Sequence, residues 1–122
     1  MTMEYKFTQG PPVSEADALA EAAAMAFHSF AFDVIVEEDE PLHWHEFNSV
    51  TWVIEGTGAF CDVDGKLTEV SPGCRLEAPA GFLHRALAGP PIRVVVATDT
   101  PYKQWTMPID KDPAQLPASS LG

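Results

Sequence analysis

From residue 27 to residue 98 the chain is a succession of short apolar segments, which glycine and proline interrupt at intervals of roughly 8–12 residues. In the first of these segments Phe30, Phe32, Val34 and Val36 alternate with other residues, which is the two-residue repeat of a β-strand. Many short strands at this spacing indicate an all-β sandwich or barrel. The spacing alone does not choose between strand topologies.

Turn residues separate the other segments. Asp64-Gly65 lies between two strand-like stretches, 59–63 and 66–70, and favours a two-residue hairpin with a type I′ turn. Gly89-Pro90-Pro91 breaks the chain before its last apolar strand. The first segment covers residues 27–36. The remaining predicted strands cover residues 43–55, 74–78, 83–88 and 92–98.

The N-terminal region follows a different pattern. Residues 1–13 resemble an extended lead-in, and Ser14 then precedes Glu15, Asp17 and an alanine-rich run. A serine N-cap with acids in the first turn and strong helix formers behind it predicts one short helix that ends at about Ala26. The alternative is a loose arm that packs on a neighbouring subunit.

The charge of the chain disfavours several classes of partner. The net charge is −11, from 18 acidic and 7 basic residues, so the surface repels nucleic acid and anionic membranes. No apolar run approaches the roughly 18 residues that span a bilayer. The first residues also lack the basic and apolar regions of a secretory signal. We therefore expect a cytoplasmic protein.

The two cysteines, Cys61 and Cys74, do not form a Cys-x-x-Cys pair. In a cytoplasmic protein they stay reduced and behave as small buried hydrophobic residues. A redox role, or direct ligation of a metal by Cys74, is the alternative.

Three of the four histidines are candidate metal ligands. His43 and His45 are two positions apart on a strand-like segment, so their side chains leave the same face. Two such imidazoles can both reach one cation at about 2.0–2.1 Å. A His-x-His pair can equally face solvent or satisfy ordinary hydrogen bonds.

The sequence around these histidines resembles the two signatures of the cupin superfamily. Residues 43–58 resemble the first signature, and residues 73–84 match the second, G-x5-P-x-G-x2-H, at each fixed position. The Asp64-Gly65 hairpin lies where cupins place theirs. The resemblance implies an all-β jelly-roll barrel with a metal at its centre. The chain then divides into an N-terminal arm with one short helix (1–26), a cupin barrel (27–100) and a C-terminal tail (101–122), whose last ten or so residues we expect to be disordered.

The resemblance implies that His43, His45 and His84 hold one divalent transition metal. Cupins usually supply a glutamate at the position of Ser49, and a serine hydroxyl is a poor ligand for zinc or iron. Strand alternation turns Glu46 away from the histidines unless a bulge intervenes. The expected site therefore has three imidazoles and open coordination positions, which catalysis needs. Fe, Zn, Ni and Mn all suit imidazole, so the sequence does not choose the metal. The alternative is a degenerate site that no longer binds metal.

Several other residues are candidates for the pocket. Arg75 either forms a surface pair with Glu77 or turns inward to bind a substrate carboxylate, and the surface is favoured. His28 is favoured as a hydrogen-bonded core or rim residue, and the alternative is a group that supports a metal ligand or transfers protons. Tyr102 is a possible acid or base, although nothing in the sequence positions it. The remaining candidate pocket residues are Thr51, Trp52 and Phe60, and no catalytic residue is identified.

The leading functional hypothesis is a metal-dependent enzyme that acts on a small organic molecule. Iron would suit a dioxygenase or another oxidoreductase, and zinc would suit a Lewis-acid isomerase, cyclase or lyase. The alternatives are a non-catalytic cupin that binds or senses a small ligand, and a vestigial barrel without metal. Small cupins commonly pair, so we expect a homodimer. The sequence does not identify the substrate.

Overall fold

A computed structural model describes residues 3–116 of the chain. Its elements are β1 (Lys6–Gln9), α1 (Glu15–Ala24), β2 (His28–Val36), β3 (Ser49–Glu55), β4 (Gly58–Asp62), β5 (Leu67–Val70), β6 (Cys74–Ala78), β7 (His84–Ala86), β8 (Gly89–Thr98) and two short 3₁₀ helices, Tyr102–Gln104 and Pro113–Gln115. The described helices are all too short to cross a membrane.

The strands form two antiparallel sheets. The larger sheet has the order β1-β6-β3-β8-β2, and the smaller has the order β5-β4-β7. Strands of both sheets contribute side chains to one central cavity, so the sheets face each other. Neighbouring strands in the sheets are mostly distant in sequence, as in a jelly roll. The predicted all-β jelly roll with one N-terminal helix is thus confirmed.

The larger sheet has a helix on its outer face and the cavity on its inner face. Because side chains alternate along a strand, Val50 and Trp52 of β3 point outward, where they pack with Ala18 and Ala22 of α1. Both alanines are fully buried there. Thr51, on the opposite face of β3, lines the cavity.

The helix forms where the sequence predicts it and ends at Ala24, two residues earlier than expected. The Ser14 hydroxyl accepts a hydrogen bond from the Asp17 N–H at 3.1 Å, which is an N-cap interaction that contributes about 1 kcal/mol. Ala26 has a φ of 60°, a left-handed conformation that stops the helix and directs the chain into β2.

The hairpin between β4 and β5 forms as predicted, but the type I′ turn is wrong. A type I′ turn needs positive φ at two successive residues, and in this turn only Gly65 has one. The N–H of Asp62 donates to the Lys66 carbonyl at 3.2 Å, so the loop has three residues. The carboxylate of Asp62 also accepts the N–H groups of Asp64 and Lys66, which stabilises this longer turn.

Several strand boundaries also differ from the prediction. The strand expected over 43–55 begins only at Ser49, so His43 and His45 precede β3, and His43 pairs with His84 through an isolated bridge. β8 begins at Gly89 and includes Pro90 and Pro91, which were expected to break the chain. The proline pair lies at a register shift in the ladder with β2, where missing N–H donors are tolerated. The lead-in contributes an unpredicted edge strand, β1, whose half-buried Phe7 lies opposite Leu76 of β6.

The C-terminal tail returns to the barrel. Trp105 stacks on Phe47 with a centroid distance of 4.5 Å, and its Nε1 donates to the Thr100 carbonyl at 3.0 Å. The structure describes the tail as far as Leu116. The disorder expected for the last ten or so residues falls largely on 117–122, which lie outside the described residues.

Candidate metal centre

The three predicted ligand residues meet at one wall of the cavity. The N–H of His43 donates to the His84 carbonyl at 2.9 Å, and the N–H of His84 donates back to the His43 carbonyl at 3.0 Å. This pairing brings their rings to a centroid distance of 4.4 Å, and the His45 ring lies 5.0 Å from that of His84. One ring nitrogen of each histidine lies within 4.8 Å of the other two.

Each imidazole is oriented by a backbone carbonyl. The Nδ1 atoms of His43, His45 and His84 lie 2.9, 3.1 and 2.9 Å from the carbonyl oxygens of Pro41, Ile109 and Phe82 respectively. A carbonyl oxygen only accepts hydrogen bonds, so Nδ1 must carry the proton in each ring. The lone pair of Nε2 is then free in all three rings, as in a histidine that binds metal through Nε2 and donates from its other nitrogen.

Burial favours the uncharged form of two of these rings, His45 and His84. Desolvation lowers the pKa of His84 to about 4, and it also lowers the pKa of His45 from its ordinary value. The His43 ring is nearly inaccessible, with 5% of its surface exposed. Neutral imidazole is the form that binds a metal cation, so His45 and His84 need no deprotonation near pH 7.

The cavity beside the histidines has a volume of about 900 Å³ and is mainly apolar. Its lining includes no lysine or arginine among the residues that the structure describes. Two carboxylates, Glu40 and Asp110, are the acidic groups of the described lining. The aromatic and histidine lining comprises Phe30, Phe32, His43, His45, Phe47, Phe60, Phe82, His84, Tyr102 and Trp105.

Four of the other predicted site residues line this cavity. Ser49 and Thr51 lie on the inner face of β3, and Phe60 lies opposite on β4. Tyr102 stands at the mouth and is 63% exposed. Ser49 places no carboxylate beside the histidines.

The remaining predicted pocket residues lie elsewhere. Trp52 shares the outer face of β3 with Val50, because strand alternation separates it from Thr51. Arg75 binds Glu21 at 2.9 Å and Glu77 at 3.3 Å, in agreement with the surface alternative.

His28 is exposed at the start of β2 and does not line the cavity.

Cys74 belongs to a different part of the core. Its thiol donates to the Gln9 side-chain oxygen at 2.8 Å, and it is not one of the residues grouped with the histidines. Glu46 faces away from the histidines as expected: its carboxylate accepts the Thr106 N–H at 2.7 Å and lies 3.5 Å from Lys111 Nζ. Hydrogen bonds from the Thr106 hydroxyl and the Thr106 N–H, together with the charge of Lys111, lower the pKa of Glu46.

Two acidic residues of the site were missed by the sequence reasoning. Glu40 belongs to the loop that follows β2, and its carboxylate accepts the Ala86 N–H at 2.9 Å and lines the cavity. Asp110 lies in the tail, far in sequence from every histidine. No motif marks either residue, because only the returning tail and the loop contact with β7 place them at the site.

Comparison with known families agrees with this geometry. A model of the cupin domain matches residues 31–96, which is more than half of the chain. The chain belongs to the cupin domain family. No curated protein sequence matches it.

Solved structures show the same fold. The polyketide cyclase RemF from Streptomyces resistomycificus is 29% identical, with 78% of this chain and 72% of that chain covered and a TM-score of 0.51. A DUF861 family protein from Thermotoga maritima is 20% identical, with 76% and 97% covered and a TM-score of 0.52. The DMSP lyase DddQ from Ruegeria pomeroyi is 13% identical, with 84% and 49% covered and a TM-score of 0.53.

Proposed function

We propose that this cupin is a metal-dependent enzyme that binds an uncharged, largely apolar small molecule through a carbonyl oxygen and promotes proton transfer next to that carbonyl, as in a cyclase or an isomerase. The observation that carries the proposal is the cluster of three imidazoles, one buried and two half-buried, each with Nε2 free, on the wall of a cavity of about 900 Å³.

The donor set fits a divalent transition metal. Three imidazole nitrogen donors at close range suit Fe, Zn, Ni or Mn, and they leave coordination positions open for a substrate or water. When bound, such a metal supplies a Lewis acid that polarises a carbonyl oxygen and makes the adjacent C–H more acidic.

The protein side chains orient the ligand rings and the substrate. The Phe47 ring stacks on the His45 ring at a centroid distance of 5.2 Å, and the Phe82 ring stacks on the His84 ring at 5.4 Å. These contacts restrict rotation of both imidazoles. The apolar walls bind the body of the substrate and exclude water. The few polar groups of the lining define the orientation of the substrate.

The charges in the cavity select the substrate class. No described lining residue is a lysine or an arginine, so a substrate carboxylate or phosphate would find no cationic side chain. The carboxylate of Glu40 is held at the cavity by the Ala86 N–H and is available to accept a proton from a bound molecule. An uncharged enolisable ketone matches this combination.

The similarity to RemF supports the cyclase form of this chemistry, since that protein is a polyketide cyclase and shares 29% identity over most of both chains. A dioxygenase, a non-catalytic binding protein and a vestigial barrel are the alternatives. The expected homodimer and the cytoplasmic location stay predictions.

The first experiment measures metal content. Protein purified without an affinity tag is analysed by elemental mass spectrometry beside His43→Ala, His84→Ala and the exposed control His28→Ala. We expect close to one equivalent of metal in the wild type and the control, and a loss of metal in the two cluster variants. A wild-type protein that holds no metal even after Fe, Zn, Ni or Mn is added would refute the enzyme proposal.

The second experiment tests the reaction class. The metal-loaded protein is mixed with acetophenone in deuterated buffer, and exchange of the methyl hydrogens is followed by NMR beside 4-acetylbenzoate, an anionic analogue. We expect faster exchange for acetophenone, with the effect lost in His84→Ala. Binding of acetophenone without exchange would instead indicate a non-catalytic binding protein, and oxygen consumption with an iron-loaded sample would indicate a dioxygenase.

A further inference from the structure

The C-terminal segment 109–112 lies directly against the stretch that carries His43 and His45. The N–H of Lys111 donates to the Trp44 carbonyl at 3.0 Å, and the N–H of Trp44 donates to the Lys111 carbonyl at 3.3 Å. Trp44 Nε1 also donates to the Asp112 carbonyl at 2.9 Å. The segment is therefore held beside the histidines in the manner of an additional strand.

This pairing directs the side chain of Asp110 toward the histidines. Residues opposite each other in an antiparallel pair share a face, and the bridge of Trp44 with Lys111 places His45 opposite Asp110. The Oδ1 atom of Asp110 lies 3.7 Å from His43 Nε2 and 3.7 Å from His45 Nδ1. Asp110 also lines the cavity that the histidines line.

The carboxylate of Asp110 is free to bind a cation. It accepts no hydrogen bond within residues 3–116, and 57% of its side chain is exposed. The other two acids of this region accept hydrogen bonds, Glu46 from the Thr106 N–H and Glu40 from the Ala86 N–H. Among the described residues, Asp110 is thus the carboxylate beside the cluster that accepts no hydrogen bond.

We propose that Asp110 is a fourth ligand of the metal held by His43, His45 and His84, an inference that rests on the metal site proposed above. Two ligand atoms bound at about 2.1 Å to one ion lie about 3.0–3.4 Å apart for octahedral or tetrahedral angles. The observed 3.7 Å between Asp110 Oδ1 and His43 Nε2 is within a small side-chain rotation of that range. The carboxylate lowers the charge of the metal site by one and leaves fewer positions open to substrate.

Asp110→Asn tests this ligand, because the substitution preserves shape and removes the charge. Asp112→Asn is a matched control on the same segment: it removes the same charge, and its amide oxygen can still accept the Ala114 N–H that Asp112 accepts at 2.8 Å. The dissociation constant for Zn(II) is measured by competition with a chromophoric chelator. The visible absorption spectrum of the Co(II)-loaded protein reports the ligand set directly, without any assay of activity.

We expect Asp110→Asn to weaken Zn(II) binding by at least about 10-fold, since substitution of groups that merely support a ligand already costs that much. We also expect its Co(II) spectrum to change, while Asp112→Asn keeps the spectrum and an affinity within about 2-fold of the wild type. A Co(II) spectrum unchanged in Asp110→Asn, or equal loss of affinity in both variants, would overturn the inference while leaving the three-histidine site intact. Failure of the wild type to bind metal would instead overturn the proposed function.

Discussion

The backbones of His43 and His84 pair in both directions, with N–H to carbonyl distances of 2.9 and 3.0 Å. This pair joins the region before β3 to the start of β7, and β3 and β7 belong to different sheets. The three-histidine cluster therefore exists only after both sheets have assembled. Because the unfolded chain has no such cluster, any metal bound there stabilises the folded protein.

Metal should raise the thermal stability of the protein. At free Zn(II) equal to about 100 times its dissociation constant, the gain is about 2.7 kcal/mol, which corresponds to a Tm increase of about 10 °C for a domain of this size. Differential scanning calorimetry with and without Zn(II) measures the shift. His28→Ala, which alters an exposed ring, should retain it, and His84→Ala should lose it. An equal shift in all three proteins would place the metal elsewhere.

The metal-free protein should lose stability as pH falls from about 6.5 toward 4. The folded-state pKa of His84 is lowered to about 4 by burial, whereas in the unfolded chain its pKa is the ordinary 6.5, so the unfolded state binds more protons in this interval. The lowered pKa of His45 acts in the same direction. The stabilisation is complete above pH 6.5 and about 2 kcal/mol of it is lost by pH 5.

Urea unfolding of chelator-treated protein at several pH values between 7 and 5 measures this dependence. His84→Gln, which does not titrate, should flatten the slope. A free energy of unfolding that stays constant between pH 6.5 and 5 in the wild type would contradict the prediction.

Trp105 should anchor the tail over the cavity mouth. It stacks on Phe47 at a centroid distance of 4.5 Å and lies 5.9 Å from Phe30, so Trp105→Ala removes both contacts. We expect a loss of about 2 kcal/mol in the free energy of unfolding and faster amide hydrogen exchange in residues 106–112. Trp105→Phe retains an aromatic ring and should lose less than half as much. Unchanged exchange in Trp105→Ala would mean that other contacts hold the tail.

Gly73 should tolerate no side chain. Its φ is +95°, and a Cβ atom there would lie 2.3 Å from the Gly10 carbonyl oxygen and 2.6 Å from that of Pro11. We expect Gly73→Ala to destabilise the protein by about 3 kcal/mol in urea unfolding. Gly89→Ala is the control, because a Cβ there has no neighbour within 4 Å, and it should change the stability by less than about 0.5 kcal/mol. Similar values for both variants would contradict this expectation.

Local signals in the sequence were sufficient for the fold and for the three histidines. Alternation from Phe30 to Val36 indicated a strand, the Ser14 cap indicated a helix start, and the spacing of residues 73–84 indicated the cupin signature. Each of these three features depends on residues that are close together in sequence, so the sequence pattern alone predicts it. The turn at Asp64-Gly65 was placed correctly but given the wrong type, because the Asp62 carboxylate stabilises a longer loop.

The composition of the site beyond the histidines was decided by tertiary structure. Trp52 was assigned to the pocket from sequence, but the docking of α1 on the outer face of the sheet buries it there instead. Asp110 reaches the histidines only because the tail pairs with Trp44 through backbone hydrogen bonds. Backbone hydrogen bonds do not require particular side chains, so the contacts of a returning segment cannot be predicted from a sequence pattern. Periodicity and motif spacing thus predicted the barrel and the three clustered histidines in outline, and long-range packing decided which carboxylates, aromatic rings and polar groups surround them.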